Sequence, residues 1–149
     1  MNIIMRGILR HLPSMLAVGV ATLACGSAAA QTSVHVASVD TSVVLAGFGP
    51  RGTPKYSGEA EVRIVDDLGD PVPGARVTGT FSGDLLRNDR TVSGRTDSDG
   101  RVILDLKSTV WGQTITFTFC VDDVSASLPY DPDEDVVTCD TDTRTRILP

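Results

Sequence analysis

Aromatic side chains are scarce, only 5% of the 149 residues, although 41% of the chain is hydrophobic. A core must then be assembled from Val, Ile, Leu and Ala with a few Phe, a composition that favours strands over a helical bundle. Nowhere does an apolar period of 3.6 residues persist for three turns, so no amphipathic helix is expected. Basic residues are outnumbered, 13 Lys and Arg against 19 Asp and Glu. The formal net charge of −6 becomes about −8 once Arg6 and Arg10 leave with the segment described below. Such a surface repels phosphate backbones, and no Lys/Arg cluster with interleaved aromatics offsets it, so no nucleic-acid partner is expected.

Histidine is nearly missing: His35 is the only one beyond the first 30 residues. A multi-histidine metal centre or relay cannot be assembled from it. No G-x-S-x-G elbow nominates a serine nucleophile. Glycoside hydrolysis needs two carboxyl groups in a cleft lined by sugar-stacking aromatics, and those aromatics are wanting. Trp111, the single tryptophan and followed by Gly112, reads as a loop residue half-packed on the end of a β domain. No catalytic residue and no cofactor are expected.

Residues 1–30 read as a secretory signal peptide. Arg6, Arg10 and His11 supply a basic start, residues 12–24 an apolar stretch, and Ala28, Ala29 and Ala30 a small-residue cleavage site, leaving Gln31 as the new N-terminus. The apolar run is broken by Pro13 and Ser14 and is shorter than the about 20 residues a membrane span needs. A lipid anchor on Cys25 is the alternative, but Thr22 stands where such a cleavage box wants a Leu-like residue. Secretion, to the periplasm or beyond, is the expectation. It removes Cys25 and leaves Cys120 and Cys139 in an oxidising compartment, where they are expected to pair; two unrelated thiols are the other reading. The bond closes a loop of about 20 residues, for which chain entropy gives about 3 kcal/mol.

The remainder reads as short strands between turns. Residues 34–39 and 41–46 are β-branched runs, and residues 47–58, with four glycines and two prolines, read as a loop. From Glu59 a regular alternation begins, with Ala60, Val62 and Ile64 against Glu59, Glu61 and Arg63. Gly69, Pro71, Pro73 and Gly74 then force a reversal. Residues 75–82 form the next strand, where Gly79 marks a bulge or a close backbone approach. Residues 82–89 are polar, with Leu85 and Leu86 expected to touch the core. Residues 91–95 and 101–107 read as a strand pair joined by the turn that ends at Gly100, with Val102, Leu104 and Leu106 on one face. In residues 114–121, Ile115, Phe117, Phe119 and Val121 point one way, which puts Cys120 off the core face. Its bond to Cys139 would lash a last strand, residues 136–139, to its neighbour. Seven to eight short strands packed as two antiparallel sheets are the natural way to bury these dry sides, so the fold class expected is a single all-β sandwich. The division expected is residues 31–58 as N-terminal strands and loop, 59–142 as the sandwich core and 143–149 as a tail.

Two oxygen-rich loops are calcium candidates: Asp97 with Asp99, and Asp131, Asp133 and Asp135. Neither completes an EF-hand. The first lacks the next acidic position and the terminal Glu, and the second carries Pro132, so solvated acidic turns are the competing explanation.

The strings AEVRIVDDLGDPVPGA, VTGTFSG and TDSDGRVIL resemble the group 1 bacterial Ig-like domains, and are similar to carboxypeptidase-regulatory-like and Cna-B-like sandwiches. With VHVASVD and ITFTFCVDDVSASLPYDP added, the chain most resembles the small domain appended to secreted bacterial proteases, here without a catalytic domain beside it. The resemblance implies an immunoglobulin-like sandwich. Taken with the missing catalytic set, the expected function is an exported binding or structural module. It would present residues 47–58, 82–89 and 131–135 to a protein or glycan of the cell envelope or exterior. The alternatives are a secreted or periplasmic hydrolase with an unrecognised site, or an accessory domain assisting a secreted enzyme.

Overall fold

The computed structural model describes residues 30–145; residues 1–29, where the expected signal peptide and Cys25 fall, and the last four residues lie outside them. Seven strands run β1 Val34–Phe48, β2 Pro54–Asp66, β3 Arg76–Ser82, β4 Arg90–Arg95, β5 Arg101–Asp105, β6 Thr114–Ser125 and β7 Cys139–Thr145. They form two antiparallel sheets, ordered β1-β2-β5 and β4-β3-β6-β7, and no α-helix occurs among the described residues. The all-β sandwich that the alternation calls for is the fold observed.

The dry faces meet as the residue parity requires. Ala60, Val62 and Ile64 of β2 are fully buried, Val102 and Leu104 of β5 nearly so, and Phe81, Phe117 and Phe119 face them from the other sheet. These three rings are the largest fully buried side chains, and full burial of each is worth about 1.5–3 kcal/mol. Phe81 and Phe119 lie 4.7 Å apart in a tilted pair. Gly79 makes room for them: a Cβ there would sit 2.2 Å from Phe119 Cζ and 2.6 Å from the Cys120 carbonyl oxygen. The register shift between Thr78 and Gly79 leaves Asp122 of β6 unpaired, so the close approach is at this glycine and the bulge lies opposite it on the neighbouring strand. Leu106 is buried and Leu86 packs against the core, whereas Leu85 turns outward.

Several local expectations are corrected. The two runs in residues 34–46 are one strand of 15 residues, bent at register shifts between Val36 and Ser38 and between Leu45 and Gly47. The loop expected over residues 47–58 shrinks to five residues around a 3₁₀ turn at Pro50–Gly52, because Lys55 to Gly58 pair with β1. Residues 34–58 thus supply the edge and much of the centre of the first sheet, and no boundary separates them from residues 59–142. β4 and β5 are not a hairpin: β4 pairs with β3 and β5 with β2, so the turn at Gly100 carries the chain from one sheet to the other. The turn at residues 67–75 likewise crosses between sheets, from β2 to β3. The last strand begins at Cys139 instead of ending there, and residues 143–145 of the expected tail belong to it.

Candidate functional site

The disulfide joins Cys120 to Cys139, directly opposite one another on β6 and β7 and on the outer side of the sheet. It is the last member of a cross-strand row. Thr114 and Thr145, Thr116 and Thr143, and Thr118 and Thr141 share hydroxyl hydrogen bonds at 3.3, 2.9 and 2.8 Å, the kind of pair that stabilises a β-ladder. The bond therefore clamps the strand whose other face closes one side of the sandwich.

That closure is made by carboxylates. The Thr41 amide of β1 donates to Asp140 Oδ2 at 2.7 Å, and the Val43 amide donates to Asp142 Oδ2 at 2.8 Å. Further up, the Val36 amide donates to Asp135 Oδ1 at 2.7 Å. β1 is an edge strand, and its unpaired amides would otherwise offer a template for another chain. Here the alternate amides of one sheet are satisfied by alternate acids of the other, each a charge-assisted bond. The Arg144 guanidinium donates to the Val43 carbonyl at 3.2 Å from the same strand.

The calcium candidates serve the backbone. Asp97 Oδ1 accepts from the amides of Asp99 and Arg101, and Asp131 Oδ1 accepts from Asp133. Asp135 is fully engaged, since its second oxygen accepts the Tyr130 hydroxyl. Burial first, then this bond and the Asp135 and Asp123 charges, raise the Tyr130 phenol above its usual range. Among the described residues no group of three or more His, Cys, Asp or Glu is placed to hold a metal ion. Asp133 and Asp99 extend into solvent from their turns. Asp67 is exposed too, and the Thr32 hydroxyl and amide hold its carboxyl below the usual range. His35 lies 3.7 Å from Glu134, beside no hydroxyl nucleophile that the structure couples to it.

The turn residues behave as their chemistry demands. Gly100 has φ +71, and a Cβ there would lie 2.5 Å from the Ile64 carbonyl oxygen and 3.1 Å from Pro71, so it is the point where the two sheet-crossing turns pack together. Gly69 and Gly74 also have positive φ, and Pro71 forms a β-bridge with Val65, leaving Pro73 at the exposed tip.

The three loops expected to present a partner surface do not stand together. The turn at residues 49–53 and the loop at 83–89 share one end of the sandwich with residues 106–113, whereas residues 131–135 lie at the other end beside the start of β1. At the first end, Trp111 seats its six-membered ring against Gly49, where a Cβ would come within 2.0 Å. The Lys55 ammonium lies 4.8 Å above the ring centroid, a cation–π arrangement. Leu85 Cδ1 closes on Gly112 from the neighbouring loop. Phe48 is 68% exposed and Trp111 43%, so four loop or strand-end segments present one aromatic, partly basic surface. A cleft of about 180 Å³ opens beside it between Leu85, Leu86, Arg90, Thr109 and Val110. A broader depression of about 430 Å³ lies on the opposite flank, along Gly94, Arg95, Arg101 and Ile103; its polar members already pair locally, Arg101 with Glu61.

Sequence reasoning missed the carboxylate closure and the gathering of Phe48, Leu85 and Trp111. A signal existed for the first. If Cys139 faces outward, Asp140 and Asp142 face inward, where an apolar residue is the norm, and inward acids mark a sheet edge. No equivalent signal marks the second, because it joins segments far apart in the chain. Comparison with protein-family models, with curated proteins and with solved structures gave no match.

Proposed function

We propose that this chain is an exported, non-catalytic immunoglobulin-like module that binds a partner through the loop end carrying Phe48 and Trp111. The observation that carries the reading is that end itself: aromatic and aliphatic side chains left in water on a rigid two-sheet frame, the way such frames place recognition. Export is supported by the leader-like residues 1–30 and by the Cys120–Cys139 bond, which is compatible with an oxidising compartment. No helix among the described residues is long and apolar enough to cross a membrane. The immunoglobulin-like assignment is supported by seven strands in two antiparallel sheets, although β4 here joins the sheet of β3 and β6, where the constant-type division would put it with β5. A protein surface fits this end better than a sugar. Lys55 already covers one face of Trp111 and Gly49 abuts its ring, whereas Phe48 and Leu85 suit an apolar anchor.

Mass spectrometry of the secreted chain should give an N-terminus at Gln31 and no free thiol. Immobilised mature chain should capture an envelope or extracellular protein, and Phe48→Asp or Trp111→Ala should abolish capture while circular dichroism stays that of the wild type. Capture unchanged by both variants, or none at micromolar bait, would remove this reading.

A further inference from the structure

We infer that the partner of this loop end is the opposite end of a second copy of this chain, so that copies associate head to tail; the inference rests on the binding reading above and names its occupant. Charge is segregated along the sandwich. The loops of the far end, residues 67–75, 96–100 and 126–138, contain two, two and four acidic residues and no lysine or arginine, and the strand ends bordering them add Asp66 against Arg76, Arg95 and Arg101, which leaves that end acidic. Around Phe48 and Trp111 the balance reverses, with Arg51, Lys55, Arg87, Arg90 and Lys107 against Asp84, Asp89 and Asp105. Opposite potentials on two ends of one molecule steer an end-to-end encounter and disfavour like-to-like contact.

Exposed apolar side chains follow the same axis. Of the seven large hydrophobic residues exposed among the described residues, Leu45, Phe48, Leu85 and Trp111 lie at the basic end, and Leu68 and Val136, 51% and 74% exposed, lie at or beside the acidic one. Only Ile103 stands on a flank. The flanks are less suited to association: three edge amides of β1, those of Val36, Thr41 and Val43, are taken by carboxylates, β4 is bracketed by Arg90 and Arg95, β5 carries Arg101 and Asp105, and β7 carries Asp140, Asp142 and Arg144. Because the two ends differ, the contact is heterologous, and repetition along the sandwich axis gives an open row of copies in place of a closed two-fold dimer.

The test is sedimentation velocity of the disulfide-bonded mature chain over a concentration series. The wild type should show a sedimentation coefficient that climbs with concentration without levelling at the dimer, and association should weaken at least tenfold in about 1 M salt, where the Debye length is about 3 Å. Phe48→Glu blocks one end, and the double variant Leu68→Lys with Val136→Lys blocks the other. All these positions are exposed, so circular dichroism should be unchanged. Each variant alone should remain monomeric, and an equimolar mixture should form a dimer and stop there. A wild type that stays monomeric to about 1 mM, roughly a binding free energy of −4.1 kcal/mol, a variant that still self-associates, or a mixture that stays monomeric would each overturn the proposal. A monomeric wild type whose capture of another protein is lost in Phe48→Asp would defeat the head-to-tail contact and leave the binding reading intact.

Discussion

The two flanks of the sandwich are closed by opposite means. Along β1 and β7 the sheets are joined through polar bonds, Asp140 and Asp142 accepting the amides of Thr41 and Val43. Along β4 and β5 the sheets are joined by close approach of apolar groups, since Gly94 has no side chain and lets Val102 and Leu104 come against the β4 backbone. The first closure depends on charge and on acceptors held in register; the second depends on volume. A two-sheet fold can thus satisfy one open side by chemistry and the other by omission of a side chain, and the two should fail under different insults.

The largest effect should come from unclamping β7. Cys120→Ser with Cys139→Ser, or reduction of the bond, removes a constraint spanning 19 positions and should cost about 3 kcal/mol in chemical denaturation. The loss should appear first in hydrogen exchange of the Thr41 and Val43 amides, before those of β4. Next, Asp140→Ala should cost about 2 kcal/mol, because it strands the amide of buried Thr41 without an acceptor. Asp140→Asn, which keeps an oxygen there, should recover most of it. A Cβ at Gly94 would lie 2.7 Å from Val102 Cγ2 and 2.9 Å from Leu104 Cδ2, so Gly94→Ala should cost about 1 kcal/mol through overpacking. Hydrogen exchange should place the two losses on different edges, at the Thr41 amide for Asp140→Ala and along β4 for Gly94→Ala; the same amides exposed by both would dissolve the contrast between the flanks.

Alkaline titration probes the polar flank alone. The folded state raises the Tyr130 phenol above its ordinary value of 10, so as pH rises the unfolded chain ionises first. The contribution is complete below pH 10 and declines from there toward the folded value. Ultraviolet titration should show a late phase from Tyr130, and Tyr130→Phe should remove it. The smallest effect belongs to the exposed Arg101–Glu61 pair between β5 and β2: Glu61→Gln should cost about 0.3 kcal/mol, measurable only as a slight shift in melting temperature.

The amino-acid sequence by itself determined which side of each strand is dry. Ala60, Val62, Ile64, Val102, Leu104, Ile115, Phe117 and Phe119 alternate with polar neighbours, and a strand must send alternate residues to opposite faces. The pairing of Cys120 with Cys139 was legible for a related reason, since parity put the first outside the core and only one other cysteine remained beyond residue 30. Glycine and proline also marked where the chain reverses, because their backbone limits are local. What only the tertiary structure decided is where each reversal leads. Both the turn at Gly100 and the one at Gly69 to Gly74 could have returned the chain to its own sheet, yet both cross to the other. The crossing is settled by pairing with distant strands, as are the bonds from β1 amides to Asp140 and Asp142 and the approach of Trp111 to Gly49 and of Leu85 to Gly112. Such contacts join residues far apart in the chain, and no local preference encodes them.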